Sequence, residues 1–125
     1  MDLQTAEAVA IAFCNHYYGM FDTDRSSLAS LFYESSLMKF EGDTKIGVEA
    51  IMKKLLELPF KVVKHIPTTV DGQPTIDNGV LITVNGQLKT DDDPPHAFSE
   101  MFHLKNSGGG WIILNNAFRL SIHNS

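Results

Sequence analysis

Two short stretches place acidic residues just after an apolar residue at the end of a predicted strand. Phe40 is followed directly by Glu41, and Leu88 is followed by the acidic run Asp91-Asp92-Asp93. In each stretch the apolar side chain would point into the core, and the acids would stand at the exposed strand end. If the two strand ends converge, they form an apolar pocket with a negative rim, suited to a partner that combines apolar and basic groups. Solvated turns are also rich in aspartate, and Glu41 could be an ordinary exposed carboxylate.

His65 is the residue with the strongest claim to a catalytic role. It shares a strand face with Val63, and a cavity histidine beside a carboxylate can act as a general base. A structural histidine bonded to a neighbour is the alternative. The sequence has no metalloprotease, nucleophile-elbow, phosphate-loop or dinucleotide motif, and its histidines lack metal-ligand spacing, so we expect no metal or cofactor. Cys14 lies beside Phe13 in a predicted helix and is expected to be a core thiol.

The composition is that of one globular domain spanning residues 1–125, which is long enough to bury a core. The net charge of −5 argues against a nucleic-acid surface and favours a basic partner. One cysteine allows no internal disulfide and fits a reducing compartment. The chain shows neither a signal peptide nor an apolar run of about 18 residues, so the sequence predicts a soluble intracellular protein without membrane insertion.

The apolar pattern changes from helical to strand spacing near residue 60. It predicts helices over 2–21 and about 47–58, with a short helix around Leu28 and Leu31 between them. It predicts strands over 35–40, 60–71, 79–90, 97–105 and 110–122, with Asp71-Gly72 as one of the turns. This order favours an α+β fold with the helices on one face of a mainly antiparallel sheet.

The last predicted strand is apolar on both faces. Strict alternation places Ile112, Leu114, Phe118, Leu120 and Ile122 on one face and Trp111, Ile113 and Ala117 on the other. A second apolar face needs a cover, and a face-to-face homodimer with Trp111 in its interface would supply one. Scattered surface hydrophobic residues that need no cover are the alternative.

Several segments resemble landmarks of the nuclear transport factor 2 family, in that family's order and at near-identical spacing over essentially the whole chain. They are Phe13-Cys14-Asn15-His16-Tyr17-Tyr18, Phe21-Asp22-Thr23-Asp24-Arg25, Phe40-Glu41-Gly42, Leu58-Pro59-Phe60, Gly86 to Pro94, Met101-Phe102-His103-Leu104 and Asn116-Ala117-Phe118-Arg119-Leu120. The resemblance implies a cone-shaped fold with N-terminal helices, a curved sheet and a hydrophobic cavity. It also implies a homodimer formed through the sheet.

The resemblance further implies a function without catalysis or cofactors. Members of the family carry the GDP-bound form of the small GTPase Ran into the nucleus and contact Phe-x-Phe-Gly repeats of nuclear pore proteins. The implied location is the cytoplasm and nucleus, with enrichment at the pore. An enzyme of the same fold, a dehydratase or isomerase that uses His65 on a small apolar substrate, is the alternative.

The resemblance also implies which residues of this sequence occupy the positions of the family's partner-binding site. Glu41, Asp91 and Asp93 match the acids that pair with basic residues around an aromatic side chain of Ran. The cavity for that side chain corresponds to Phe40, Leu58, Phe60, Val63, His65, Leu88 and Phe118. The chain also departs from the pattern. Phe40 stands where members often have Trp, Ala6 stands where some members have a Trp that contacts Phe-x-Phe-Gly repeats, and His96 replaces an apolar rim residue.

Overall fold

The computed structural model of the protein describes residues 1–121. Its elements are helix α1 (Leu3–Thr23), a 3₁₀ helix (Arg25–Leu31), strands β1 (Leu37–Phe40) and β2 (Asp43–Ile46), helix α2 (Val48–Leu56), and strands β3 (Val63–Pro74), β4 (Val80–Thr90), β5 (His96–Asn106) and β6 (Trp111–Leu120). The six strands form one sheet in the order β2-β1-β6-β5-β4-β3. Only the β1–β6 pair is parallel, so the predicted α+β order and mainly antiparallel sheet are confirmed. None of the helices in residues 1–121 has the length and hydropathy needed to span a bilayer.

Helix α1 begins at an N-cap and buries one face against the sheet. The Asp2 carboxylate accepts the Thr5 N–H at 2.7 Å, satisfying a donor that the first turn leaves free. Its apolar side chains recur at helical spacing, and Phe13 and Tyr17 both pack edge-on against Phe102 of β5. Cys14 is 1% exposed, as expected of a core thiol.

Strand β2 was not predicted. It follows β1 through a two-residue turn at Glu41 and Gly42, with Phe40 paired to Asp43. Both turn residues have positive φ, 52° and 85°, as in the tightest β-hairpins. The turn therefore fixes where Glu41 stands, at the end of β1.

A bulge in β6 overturns the predicted facing of its residues. Leu104 pairs with Ile113 and His103 with Asn115, so Leu114 is an extra residue that shifts the alternation by one. Ile113 consequently lies on the helix side of the sheet and is fully buried.

The assignment of Trp111 to an outer dimer face was therefore wrong. Trp111 is partly buried against the core and lies beside residues of α1. Ile122, also assigned to this strand, lies outside the described residues. The homodimer stays a prediction, and apolar side chains that remain on the outer face still favour it, such as Leu37 and Ile66, which are 40% and 48% exposed.

Strand β3 runs through the predicted Asp71-Gly72 turn. Gly72 pairs with Ile82 inside the ladder, and the chain reverses only at residues 75–79. Gly72 is buried beneath α1, where the helix and the strand approach closely. The glycine thus serves helix–strand packing, and the predicted turn was wrong.

Candidate functional site

A cavity opens at the end of the sheet where β1, β4 and β6 finish. Its walls are mainly aromatic and come from α1, five strands and the loop after α2. The residues that line it are Tyr17, Phe21, Met38, Phe40, Phe60, His65, Leu88, Glu100, Asn116 and Phe118. Five predicted cavity residues are thus brought together: Phe40, Phe60, His65, Leu88 and Phe118.

Two predicted cavity residues lie elsewhere. Val63 is buried in the core next to the cavity, and Leu58 is half-buried after α2, but neither lines the cavity itself. Their positions in the family pattern place them in the same region, and sequence spacing cannot separate a lining side chain from one packed behind it.

The cavity is closed by its own aromatic side chains. Phe40 stacks on Phe118 with ring centroids 4.7 Å apart, and the enclosed volume is about 20 Å³, roughly the space of one water molecule. Phe40 and Phe60 are only half-buried. An aromatic group that enters must therefore displace these two rings, and Phe60 would leave the Arg25 guanidinium that lies 4.7 Å from its centroid.

The cavity floor contains a buried acid that sequence reasoning missed. Glu100 is 7% exposed, and its carboxylate accepts the Tyr18 hydroxyl at 2.8 Å and the Asn116 amide at 3.0 Å. The sequence did indicate that Glu100 is buried, because Glu100 alternates with Phe98 and Phe102 on the apolar face of β5. An acid at such a position is buried unless the strand is irregular.

Burial raises the pKa of Glu100, although the hydrogen bonds from Asn116 and Tyr18 and the nearby His65 lower it in part. The same burial, with Glu100 adding to it, raises the pKa of Cys14 to about 12, so this thiol stays protonated and unreactive at neutral pH.

Replacing Glu100 by glutamine should stabilise the protein at neutral pH. Because the native pKa lies above the unfolded value, the native state retains a proton that the unfolded chain releases, so stability falls as pH rises above about 4.5. Glutamine is isosteric and can keep both hydrogen bonds, with the Tyr18 hydroxyl reversing its role. We expect Glu100→Gln to gain about 1–3 kcal/mol at pH 7.5 and to flatten the pH dependence, measured by urea unfolding between pH 4.5 and 8.

The matched control is Glu7→Gln, which changes an exposed acid on α1 and should leave the unfolding curves unchanged within about 0.5 kcal/mol. A loss of stability in Glu100→Gln at pH 7.5 would mean that the ionised carboxylate contributes more than its burial costs.

His65 is held by a partner that was not predicted. Asp22, at the end of α1, accepts from the His65 backbone N–H at 2.8 Å, and its other oxygen lies 2.7 Å from the imidazole Nδ1. The ring also stacks on Tyr18 with centroids 4.6 Å apart. Asp22 thus ties α1 to β3, which is the structural role weighed for His65 beside the catalytic one.

The three predicted rim acids lie on both sides of the mouth but differ in their contacts. Glu41 ends β1, and its carboxylate accepts the Leu120 N–H. Asp91 ends β4, and its carboxylate accepts the N–H groups of Lys61 and Val62 at 3.1 and 2.9 Å, which fixes the loop that carries Phe60.

The Asp93 side chain makes no hydrogen bond or ion pair within residues 1–121, and Lys89 instead holds the carbonyl groups of Asp91 and Asp93. The strands β6 and β5 separate β1 from β4, so at about 4.8 Å per strand the two acidic ends stand roughly 14 Å apart along the sheet.

Three further sequence predictions concern a metal site, His96 and Ala6. No group of three or more metal-ligating side chains occurs in the described part of the chain. His96 is exposed at the rim end of β5, opposite Leu88. Ala6 lies on the face of α1 that packs on β3 and is fully buried, so its side chain offers no surface for a repeat peptide.

Known proteins share this sequence and this fold. The model of the Nuclear transport factor 2 (NTF2) domain matches residues 9–120. A protein named nuclear transport factor 2 from Oryza sativa subsp. japonica is 45% identical over 118 residues, which cover 93% of this chain and 97% of that protein. Its counterpart from Neurospora crassa is 42% identical over 115 residues, 90% of this chain and 93% of that protein.

The solved structure of nuclear transport factor 2 from Cryptosporidium parvum superimposes with a TM-score of 0.90 at 36% identity, over 94% of this chain and 95% of that one. This agreement confirms the predicted cone-shaped fold. With a family model matched over most of its length and relatives above 40% identity, the chain belongs to the nuclear transport factor 2 family.

Proposed function

We propose that this chain is a carrier that binds the GDP-bound form of Ran and returns it to the nucleus. The observation that carries the proposal is the aromatic-walled cavity that opens between Glu41 on one side and Asp91 and Asp93 on the other. An aromatic side chain of Ran would enter the cavity, and basic residues beside it would meet the acids. Relatives named as transport factors support this assignment.

The energetics of this mode are those of an anchor with a charged rim. Burying one aromatic side chain contributes about 1.5–3 kcal/mol, part of which is spent in unstacking Phe40 from Phe118. Charges at the rim act mainly on the association rate and on the choice of partner. The proposed affinity is therefore moderate, and its selectivity comes from shape and charge together.

The proposal also includes weak contacts with Phe-x-Phe-Gly repeats at the nuclear pore, a homodimer through the outer face of the sheet, and a distribution between cytoplasm and nucleus. Because Ala6 is buried, the repeat contacts would fall to other apolar groups. Leu3 and Ile76 are exposed and suit such contacts.

A dehydratase or isomerase is the second candidate, and Glu100 favours it because it supplies an acid deep in the cavity beside His65. One observation weighs against it. Tyr18 and Asn116 already bind the Glu100 carboxylate, and Asp22 already binds the His65 Nδ1.

Calorimetric titration tests the carrier proposal. The chain should bind Ran loaded with GDP saturably and should give no heat of binding with Ran loaded with a GTP analogue, because the switch loop presents its aromatic side chain in only one nucleotide state. Equal binding to both forms, or binding to neither, would refute the proposal.

A further inference from the structure

A second and larger cavity lies at the opposite end of the sheet from the acidic rim. We call it the Trp111 pocket. It has a volume of about 530 Å³ and is lined by Val9, Ala12, Phe13, His16, Ser30, Leu31, Ser107, Gly109, Gly110, Trp111 and Ile112. Trp111 and Phe118 are seven residues apart along β6, so the two cavities are separated by roughly 23 Å. The Trp111 pocket therefore takes no part in the partner site proposed above.

Three elements line this pocket, which is open to solvent on its remaining side. Helix α1 forms one wall, the 3₁₀ helix forms a second, and the β5–β6 hairpin with its glycine loop forms the third. Its volume falls within the range of about 300–1,000 Å³ found for small-molecule sites. By size it is a ligand pocket, and its open side leaves the lining accessible from solvent.

The lining specifies the chemistry of an occupant. No lysine, arginine, aspartate or glutamate lines the pocket, so a charged ligand would lose its hydration without gaining an ion pair. Phe13 is already packed against Tyr17 and Phe102, so His16 and Trp111 are the rings left to contact an aromatic ligand. Trp111 is half-buried, and its indole N–H donates to no other group within residues 1–121, so an acceptor on the ligand can take this donor in place of water.

From these features we infer that the Trp111 pocket is a binding site for a neutral small molecule with a planar aromatic ring and a hydrogen-bond acceptor. The ring stacks against Trp111, and the acceptor takes the indole N–H. The inference stands independently of Ran binding.

The single tryptophan makes the test specific. Trp111 is the chain's one tryptophan, so one indole N–H signal in a nitrogen-15 NMR spectrum reports on this pocket. Acetophenone is the probe, because it is neutral and planar and carries a carbonyl acceptor. Cyclohexyl methyl ketone is the matched control, since it keeps the carbonyl and lacks the aromatic ring.

Acetophenone should shift the indole signal saturably, and the saturated ketone should bind roughly three- to tenfold more weakly, the factor that ring stacking supplies. An indole signal that does not move, a shift that does not saturate, or equal binding of both ketones would overturn the inference.

A blocking variant separates binding in the pocket from binding nearby. Ala12 lines the pocket from an exposed position on α1, so Ala12→Leu fills the space with a good helix former and without disturbing the core. It should abolish the acetophenone shift. Asn15→Leu adds the same side chain to an exposed position of the same helix that does not line the pocket, and it should leave binding intact. Unchanged binding by a folded Ala12→Leu protein would also overturn the inference.

Discussion

Glu41→Lys should abolish binding to GDP-bound Ran while the fold persists. Glu41 stands at the end of β1, one residue beyond Phe40 in the cavity wall, and it is exposed. A lysine there would face the basic groups of the proposed partner, and like charges juxtaposed across an interface cost several kcal/mol. We expect affinity to fall by about 100-fold or more in calorimetric titration, which corresponds to roughly 2.7 kcal/mol.

The change also removes a local contact, so the controls must separate charge from structure. The Glu41 carboxylate accepts the Leu120 N–H, and Glu41→Gln keeps an acceptor for it without the charge. We expect Glu41→Gln to bind more weakly than the parent chain but better than Glu41→Lys. Glu7→Lys makes the same reversal at an exposed site on α1 and should bind normally. Normal binding by a folded Glu41→Lys protein would exclude the proposed rim.

The order of the elements could be predicted from the sequence, because most of them are long stretches in which apolar residues recur at a clear helical or strand spacing. Helix α1 was predicted over 2–21 and spans Leu3–Thr23, and β4 was predicted over 79–90 and spans Val80–Thr90. Strand β2 was missed because its four residues carry no apolar alternation, and only pairing with β1 defines it. Short edge strands of this kind depend on tertiary context rather than on local sequence.

The bulge at Leu114 shows a second limit of reading a sequence by period. Strict alternation assigned Trp111 and Ile113 to the outer face, and one extra residue in the ladder moved both to the core side. A bulge adds no composition signal of its own. Which face of the sheet the β6 residues before Leu114 point to could therefore be known only from the pairing of β6 with β5.

The site was predictable in outline but not in the roles of its acids. Acids that follow apolar strand residues pointed to the two strand ends beside the cavity, and Glu100 could have been found from its alternation with Phe98 and Phe102. Nothing local to the sequence indicates that Asp91 binds the amides of the Phe60 loop, because those residues are some 30 positions away. Contacts between distant loops depend on the completed fold.

Gly72→Val should destabilise the protein strongly, although the sequence alone makes this position look like a tolerant turn. A Cβ atom at Gly72 would lie 2.6 Å from the Ala10 Cβ and 2.7 Å from the Ala6 carbonyl oxygen. Ala6 and Ala10 are fully buried on α1, so neither can yield without moving the helix backbone. We expect a loss of about 3 kcal/mol or more, at the upper end for overpacked cores, measured by urea unfolding.

Gly109→Val is the matched control, because a Cβ atom at Gly109 meets no other group within 4 Å. It should change stability by less than about 0.5 kcal/mol. The comparison decides between two roles for Gly72. A glycine at an open loop position without positive φ would tolerate added volume, whereas a glycine that lets a helix pack directly on a strand would not. Equal unfolding midpoints for the two variants would mean that α1 can move away from β3 at little cost, and the close contact would then contribute little to the fold.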